Sequence, residues 1–393
     1  MKQIIIVYTF SPFPCGDAVA NRILAYALSM QDVGYKVIVL TNTPSRECDY
    51  HSEKSIYSYM NIEYRSYYVN GLNKIMRVIH RNNIIRIVND LLLSTEKKNI
   101  CLFYTTYRNF GFFLHAVLKY KKIPVVVDVT EWHSSSQFKY GMINPKYFFH
   151  SLKNRFLVPR AKNIICITRY LENFYKARGC NTLYLPPQIV IKDYVAHSLP
   201  NIPPVKLFYA GNMQKKDYIW LALEGLILLS DEEKNKVQCV LAGCSEDSFR
   251  SLIPNGDYYI KSLQHSLKII DKISKDAVQK NLSESHFLIL MRPQSRYSSA
   301  GFPSKVPEAL AAGVPVITNR TSDLEHFIFD MENGIIVNEF TAEAFATAVR
   351  KAITIDNEKF KYMSKIAYNS AKKYFNYEAY NETIRIYLSD ITR

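Results

Sequence analysis

The sequence predicts two successive α/β domains with mostly parallel sheets, because strand-like and helix-like patterns alternate along its 393 residues. The strand-like runs are short, apolar and rich in β-branched residues, as expected for strands covered on both faces. A proline-rich stretch at residues 186–204 interrupts the alternation, which then restarts. We therefore expect a first domain over 1–195, a second over 196–374, and a C-terminal helix over 375–393 that packs back on the first.

The first domain begins with a βαβ pattern. Residues 2–8 form an apolar run, Asp17 begins a helix, Gly34 ends it, and residues 36–41 form the next apolar run. The opening run is too short for a signal peptide and lacks a cleavage site, which favours a cytoplasmic protein. The other strands predicted for this domain span residues 100–104, 125–129 and 164–168.

The second domain repeats the alternation. Its predicted strands span residues 205–210, 237–242, 287–291, 314–318 and 334–337. From about Thr341 the chain is predicted to be helical to its end. Because ligands of parallel α/β sheets bind beyond the carboxyl ends of the strands, we expect the functional residues in those loops, in a cleft between the domains.

Charge distinguishes the two halves. The formal net charge is +15, of which residues 1–200 carry +14 and residues 201–393 carry +1. A basic half favours an anionic partner. Residues 71–88 place Lys74, Arg77, Arg81 and Arg86 among apolar residues, which predicts a basic amphipathic helix on an anionic membrane surface. A dense basic run and nucleic-acid-binding signatures are absent from the sequence, so nucleic acid is the weaker alternative.

Several classes of protein are disfavoured. The seven cysteines include no CxxC pair, which argues against a zinc site or a disulfide framework and favours a reducing compartment. No apolar run approaches the length that spans a bilayer. The sequence has no GxxxxGK[ST] loop, no GxGxxG after the first strand, and no Asp-x-Asp triplet for a metal-dependent sugar transferase.

The most specific stretch is AGFPSKVPEALAAGVPVI at residues 300–317, which predicts a loop, a helix, a stop and a strand. Ser304 is a suitable N-cap, and Gly313 is a suitable C-terminal stop. The start of the helix then offers unpaired N–H groups to a diphosphate, and the carboxylate of Glu308 can accept hydrogen bonds from a ribose diol.

This stretch resembles the donor-domain signature of the GT-B-fold retaining glycosyltransferases, in particular the family-four group that uses nucleotide sugars. Other pieces resemble the same group in the same order along the chain: residues 12–22, 167–171, 185–187, 209–217, 321–324 and 333–337. Glu308 matches the family's ribose-binding glutamate. Ala300 stands where the family has its other glutamate, and Asn212 stands where an arginine is common.

The resemblance implies a GT-B fold of two Rossmann-like domains with a helical tail. It implies sugar transfer with retention from a UDP- or GDP-linked donor to a hydroxyl of a saccharide acceptor, without a metal or other cofactor. The expected acceptor is a lipid-linked saccharide in capsule, O-antigen or other polysaccharide biosynthesis. The enzyme is then expected in the cytoplasm, peripheral on the inner face of the plasma membrane.

The candidate site residues fall into four groups. The donor nucleotide and its phosphates are assigned to Gly211, Lys216, Arg292, Lys305 and Glu308. The donor sugar is assigned to Gly301, Phe302, Pro303 and Ser304, largely through their backbone. Asp128, Glu131 and His133 follow a buried strand and are the catalytic candidates that orient or deprotonate the acceptor hydroxyl. Gly16 and Arg22 are assigned to the acceptor.

Two alternatives stay open at the level of sequence. The alanine at position 300 is compatible with a non-catalytic module that binds a nucleotide sugar. A nucleotide-sugar epimerase of the same two-domain shape is the other.

Overall fold

A computed structural model describes residues 3–9, 11–14, 16–41, 56–66, 100–106, 122–191, 201–211, 213 and 217–392. The chain divides into two compact units. Unit 1 comprises Met1–Ile189 together with Tyr377–Arg393, and unit 2 comprises Val190–Asn376. Within the described residues, no helix combines the length and the apolar character needed to cross a membrane. The basic helix predicted over residues 71–88 lies outside the described residues, as do Asn212 and Lys216.

Unit 1 is built on a sheet whose eight described strands follow the order β3-β4-β2-β1-β5-β6-β7-β8. Every pair is parallel except the β3–β4 hairpin. The strands are β1 (Ile4–Thr9), β2 (Lys36–Thr41), β3 (Ile56–Tyr59), β4 (Ile62–Ser66), β5 (Ile100–Thr106), β6 (Val125–Val129), β7 (Asn163–Cys166) and β8 (Asn181–Tyr184).

The helices of unit 1 begin where the sequence supplies capping side chains. Helix α1 (Ala18–Asp32) follows Asp17, whose carboxylate accepts a hydrogen bond from the Ala20 N–H at 2.8 Å. Helix α2 spans Pro145–Leu152 after Asn144, and helix α3 spans Arg169–Lys176 after Thr168. Strand β7 ends at Cys166, before the predicted limit of 168, because Thr168 is already the cap of α3.

Unit 2 contains a parallel sheet of six described strands in the order β11-β10-β9-β12-β13-β14. The strands are β9 (Val205–Ala210), β10 (Val237–Ala242), β11 (Leu267–Ile270), β12 (Phe287–Leu290), β13 (Val316–Asn319) and β14 (Gly334–Val337). Strands β12, β13 and β14 are buried along their whole length, as expected for strands covered on both faces.

Short helices connect these strands, and longer ones follow them. They are α4 (Ile219–Ile227), α5 (Asp231–Asn235), α6 (Glu246–Leu252), α7 (Gly256–Ser262), α8 (Lys275–Ser283), α9 (Arg296–Ala300), α10 (Lys305–Ala311), α11 (Ala342–Ile353) and α12 (Asn357–Tyr374). The chain then returns to unit 1 as α13 (Asn381–Thr392). The helical C-terminal stretch predicted from about Thr341 is confirmed, with Thr341 as the cap of α11.

The β3–β4 hairpin, β8 and β11 were not predicted from the sequence. The hairpin turns on Met60 and Asn61, which both adopt positive φ angles of 48° and 62°. That backbone suits a two-residue turn between antiparallel strands, but Met60 is an unusual residue for it. Strand β11 (LKII) is a four-residue strand with three partly buried residues and one exposed lysine, so its pattern is weak.

Candidate functional site

Four side chains of unit 2 meet around one buried carboxylate, and we call them the Asp217 cluster: Tyr209, Asp217, Arg292 and Lys305. Arg292 Nε donates to Asp217 Oδ1 at 2.6 Å. Lys305 Nζ donates to Asp217 Oδ2 at 2.9 Å, and the Tyr209 hydroxyl donates to the same oxygen at 2.8 Å. The cluster joins the end of β9, the loop after β12 and the first residue of α10, so it lies at the carboxyl edge of the sheet.

Electrostatics keep Asp217 ionised. Burial by itself would raise the pKa of its carboxyl, but the charges of Lys305 and Arg292 outweigh burial and hold that pKa well below its usual range. Burial raises the pKa of Tyr209, so its phenol stays protonated and donates to Asp217. With one carboxylate and two cations, the cluster carries a net charge of +1.

Arg292 is fixed on both its backbone and its side chain. Its N–H donates to Asn319 Oδ1 at 3.0 Å, and its carbonyl accepts from Asn319 Nδ2 at 2.8 Å. Arg292 donates to Asp217 through Nε. Its two Nη nitrogens donate to no residue within the part of the chain that the structure describes. Those nitrogens are therefore available to an anion in the planar, two-donor geometry that suits phosphate.

Gly211 allows the cluster to approach the loop after β9. A Cβ atom at Gly211 would lie 2.7 Å from Lys305 Cε and 3.0 Å from Lys305 Nζ. The loop after β10 comes equally close, because a Cβ at Gly243 would overlap the Gly211 carbonyl oxygen. The Lys305 ammonium also lies over the Tyr209 ring, 4.9 Å from its centroid. The glycine loop and the start of α10 thus form one packed group.

The predicted sugar-binding residues lead into α10. Phe302 is buried and packs against Phe327 and Phe375, with ring centroids 5.6 and 5.8 Å apart. Its side chain therefore belongs to an aromatic cluster, and only the backbone of Phe302 is left to meet a sugar. Pro303 is buried, Gly301 and Ser304 are partly exposed, and the sugar-binding role of all four stays a prediction.

The expected side-chain cap at Ser304 is wrong. Its backbone is already helical, with φ −60° and ψ −20°, and its hydroxyl makes no capping hydrogen bond. A capping side chain normally requires an extended residue, which explains the difference. Glu308 lies one turn into α10 and is partly exposed, and Ala300 at the end of α9 is fully buried. The stop at Gly313 is confirmed, with φ +72°.

In unit 1, two of the candidates form a buried ion pair. Arg22 of α1 donates to Asp128 of β6 through Nε at 2.8 Å and through Nη2 at 2.9 Å. Arg22 Nη1 donates to the carbonyls of Leu185 and Pro186 at 3.0 and 3.1 Å. This pair ties the first helix to the sheet and to the segment after β8. The catalytic role of Asp128 and the acceptor role of Arg22 stay predictions beside that structural role.

Glu131 and His133 lie together in the loop after β6. His133 Nε2 is 3.3 Å from Glu131 Oε2, and Nδ1 is 3.2 Å from Gln137 Oε1. The same Gln137 oxygen accepts from the Ser134 N–H, which fixes its orientation. Both ring nitrogens thus lie beside side-chain oxygens that can accept a hydrogen bond. The ring is partly exposed, so it can still meet an acceptor.

Gly16 lies directly before the cap of α1. Its φ is +137°, and a Cβ there would lie 2.6 Å from Pro12 Cγ, so this tight turn favours glycine. Its predicted contact with an acceptor is not tested by these distances.

Four cysteines of the described residues are buried and form no disulfide: Cys166, Cys180, Cys239 and Cys244. Burial raises the pKa of Cys239 to about 12, so that thiol stays protonated and unreactive. Among the described residues, no group of three or more histidine, cysteine or acidic side chains has the arrangement of a metal site.

The roles of Asp217 and Asn319 were not predicted from the sequence. Asp217 ends the glycine-rich loop that the resemblance covers, yet its partners lie 75 and 88 residues further along the chain. Its only local signal is one acidic residue directly after two lysines. Asn319 carries no signal beyond its place directly after the strand predicted over 314–318.

Comparisons with known proteins agree with this architecture. Residues 193–372 match the family model for glycosyl transferases group 1. An uncharacterized glycosyltransferase of Methanocaldococcus jannaschii is 20% identical over 280 residues, which cover 68% of each chain.

Two solved structures extend the likeness to the whole chain. HepE of Anabaena, in complex with UDP and glucose, has a TM-score of 0.68 at 13% identity over 99% of this chain and 100% of that one. WaaG, a glycosyltransferase involved in lipopolysaccharide biosynthesis, has a TM-score of 0.64 at 13% identity over 98% and 99%. The GT-B fold predicted from the sequence is thereby confirmed.

Proposed function

We propose that this protein is a glycosyltransferase that moves a sugar from a nucleotide-sugar donor to a hydroxyl of a saccharide acceptor, with retention. The observation that carries the proposal is the Asp217 cluster, where Arg292 and Lys305 converge at the carboxyl edge of the group 1 domain. Arg292 keeps its Nη nitrogens clear of the described residues. Two fixed cations at that edge suit the diphosphate of a nucleotide.

In this mechanism the bond between the sugar anomeric carbon and the diphosphate oxygen breaks, and the acceptor oxygen bonds to the same carbon. The acceptor proton passes to the departing diphosphate. Arg292, Lys305 and Lys216 stabilise the charge that develops on that diphosphate. Glu308 holds the ribose, the backbone of residues 301–304 faces the sugar, and Glu131 and His133 orient the acceptor hydroxyl.

The donor is proposed to be UDP- or GDP-linked. Support for a nucleotide-sugar donor comes from HepE, which is described in complex with UDP and glucose. We propose further that transfer needs no divalent metal, because Arg292 and Lys305 already supply fixed positive charge next to the glycine loop.

The acceptor is proposed to be a lipid-linked saccharide in capsule, O-antigen or related polysaccharide biosynthesis, at the cytoplasmic face of the plasma membrane. The net charge of +14 on residues 1–200 supports an anionic surface as partner. The likeness to WaaG, which is involved in lipopolysaccharide biosynthesis, supports the same class of acceptor.

Ala300 favours a second candidate, a module that binds a nucleotide sugar without transferring it. Its side chain is fully buried at the end of α9 and offers no polar atom to a sugar. Such a module would bind the donor but release no nucleoside diphosphate. An epimerase would instead produce free nucleoside diphosphate or an isomerised sugar without any acceptor, so product analysis separates the three functions.

The test combines ligand binding with turnover in the presence of EDTA. We expect UDP or GDP to raise the melting temperature, since a ligand at 100 times its dissociation constant adds about 2.7 kcal/mol of stability. Glu308→Gln should weaken nucleoside and nucleoside diphosphate alike, by about tenfold, because a charged hydrogen-bond acceptor for the ribose is lost.

Glu325→Gln is the matched control, because Glu325 is an exposed glutamate of the same unit and should change nothing. Donor turnover that persists in EDTA supports the metal-independent mechanism. If no nucleoside diphosphate stabilises the protein, or if Glu308→Gln binds like wild type, the assigned donor site is wrong.

A further inference from the structure

The segment from Lys139 to Arg160 in unit 1 exposes an unusual set of side chains, and we call it the 139–160 segment. Eleven of its residues are exposed; seven are apolar and four are basic. Six of the apolar side chains are large: Ile143 is 88% exposed, Met142 74%, Tyr140 73%, Phe149 69%, Phe156 59% and Phe148 56%. Soluble surfaces rarely place so many large apolar groups together, and such patches mark interaction sites.

Helix α2 (Pro145–Leu152) sets which way these groups point. Tyr147 and His150 turn toward the protein, where their rings lie 5.7 Å from Phe138 and 4.7 Å from His133. Pro145, Lys146, Phe148 and Phe149 are exposed on the remaining face. A short 3-10 turn at Gly141–Ile143 precedes α2, and a π-helical turn at Lys153–Leu157 follows it. The apolar side chains of three successive turns are thus presented to solvent.

Charge narrows the choice of partner. From residue 132 to residue 171 the sequence contains no aspartate or glutamate, but it contains seven basic residues: Lys139, Lys146, Lys153, Arg155, Arg160, Lys162 and Arg169. The exposed basic residues alternate with the exposed apolar ones. A second copy of this surface would bring like charges together in a symmetric dimer, which disfavours self-association.

We propose that the 139–160 segment docks on an anionic lipid bilayer. The side chains of Tyr140, Met142, Ile143, Phe148, Phe149 and Phe156 enter the headgroup region, and the lysines and arginines contact lipid phosphates. Aromatic side chains are favoured at this depth because their rings tolerate the boundary between apolar and polar layers. The surface lies outside residues 71–88, where the sequence had suggested membrane contact.

The 139–160 segment contacts one of the candidate catalytic residues, His133, directly. His150 of α2 accepts a hydrogen bond through Nε2 from the His133 backbone N–H at 3.0 Å. His133 in turn contacts Glu131. Docking would therefore hold these two residues close to the bilayer surface. This link to a lipid-linked acceptor rests on the proposed function, whereas binding of the segment to lipid does not.

The experiment measures sedimentation of the full-length protein with vesicles, without nucleotide or sugar. One set of vesicles contains equal parts of phosphatidylcholine and phosphatidylglycerol, and the other contains phosphatidylcholine alone. One double variant, Ile143→Ser with Phe149→Ser, removes two apolar side chains. The other, Lys146→Gln with Arg155→Gln, removes two positive charges. Their controls change exposed residues elsewhere: Ile386→Ser, and Lys272→Gln with Lys280→Gln.

We expect wild type and both controls to bind anionic vesicles and to bind neutral vesicles far more weakly. The basic double variant should lose roughly 25-fold in affinity at low salt, since each basic residue near the surface contributes about fivefold. The apolar double variant should lose about tenfold and should bind with steeper salt dependence, since only electrostatic contacts are left. All variants should keep the wild-type melting temperature because the changed side chains are exposed.

Several results would overturn the proposal. They are absence of vesicle binding by wild type at low salt, equal binding of wild type to neutral and anionic vesicles, and binding unchanged in both double variants. A wild-type dimer that Ile143→Ser with Phe149→Ser converts to a monomer would assign the surface to self-association instead. Since no sugar transfer is measured, none of these outcomes depends on the donor or the acceptor.

Discussion

Asp217 fixes the positions of the two phosphate-binding candidates in unit 2, because Arg292 and Lys305 donate to its two carboxylate oxygens. Asp217→Asn removes the charge but keeps the shape, and it leaves the buried guanidinium of Arg292 without an anionic partner. Breaking a buried pair in this way costs about 3–5 kcal/mol of unfolding free energy. Asp247→Asn is the control, because its exposed pair with Arg250 contributes only about 0–1 kcal/mol. Urea unfolding measures both.

The same variant should change how stability depends on acid. The folded-state pKa of Asp217 is depressed, so its stabilising contribution is fully present above the unfolded-state value of about 3.9 and is lost as pH falls through the lower folded-state value. Wild type should therefore lose stability steeply below about pH 4, and Asp217→Asn should lose less over that range. Identical acid dependence of the two proteins would contradict an ionised Asp217.

The sequence placed Arg292 and Lys305 at one sheet edge because each follows a recognisable strand or begins a recognisable helix. It did not show that they share a carboxylate, because Asp217 is distant from both along the chain. The contact between Arg22 and Asp128 was likewise not predicted from the sequence. Both residues were predicted site candidates, but their contact spans 106 positions and needs the folded sheet to appear.

At the scale of elements, two loops of unit 2 pack so closely that only glycine fits. Gly243 has φ +133°, and a Cβ there would overlap the Gly211 carbonyl oxygen and lie 3.0 Å from the carbonyl carbon. Because both obstructing atoms belong to the backbone, the glycine loop after β9 must move to accommodate Gly243→Ala. We expect a loss of more than about 1 kcal/mol of stability together with weaker nucleoside diphosphate binding.

Gly34→Ala separates this clash from backbone strain. Gly34 also has a positive φ, +104°, but among the described residues no atom beyond its two chain neighbours lies within 4 Å of an added Cβ. Gly34→Ala should therefore lose only about 1 kcal/mol of unfolding free energy, because alanine is strained in that backbone conformation. Its nucleotide binding should be unchanged. Thermal unfolding and a nucleotide titration of the two variants give the comparison. Equal effects on stability and binding would mean that the contact between the two loops does not matter.

Elements with a strong local pattern were predicted with accurate bounds. Strands β2, β6, β9, β10 and β14 have the predicted limits, because each is an apolar run flanked by a turn or a cap. Strands β8 and β3 were missed since their residues are partly exposed and carry little periodicity. Those strands gain their stability from neighbours in the sheet, which a single sequence window does not contain.

At the scale of the whole molecule, unit 1 is assembled from both ends of the chain. Helix α13 (Asn381–Thr392) belongs with it, and Ile384, Tyr387 and Leu388 are buried there. They lie beside Tyr26 of α1 and residues of β6, β7 and β8 in the apolar core of the unit. The sequence predicted a C-terminal helix that returns to the first domain. It did not show which side chains enter the core, because α13 is separated from α1 by more than 300 residues.

This assembly predicts a local effect of a mutation at the end of the chain. Leu388 is 1% exposed, so Leu388→Ala should destabilise unit 1 by about 2–5 kcal/mol through lost burial and the cavity it leaves. Ile386, two positions away, is 51% exposed, so Ile386→Ala should have little effect.

Hydrogen exchange read by mass spectrometry distinguishes the two units in one experiment. In Leu388→Ala, amides of β6 and β7 should exchange faster, whereas amides of β10 and β12 should keep their wild-type protection. The two sets of strands belong to different sheets, so faster exchange in the first set alone places the effect in the core of unit 1. Equal loss of protection in β10 and β12 would contradict the assignment of Leu388 to that core alone.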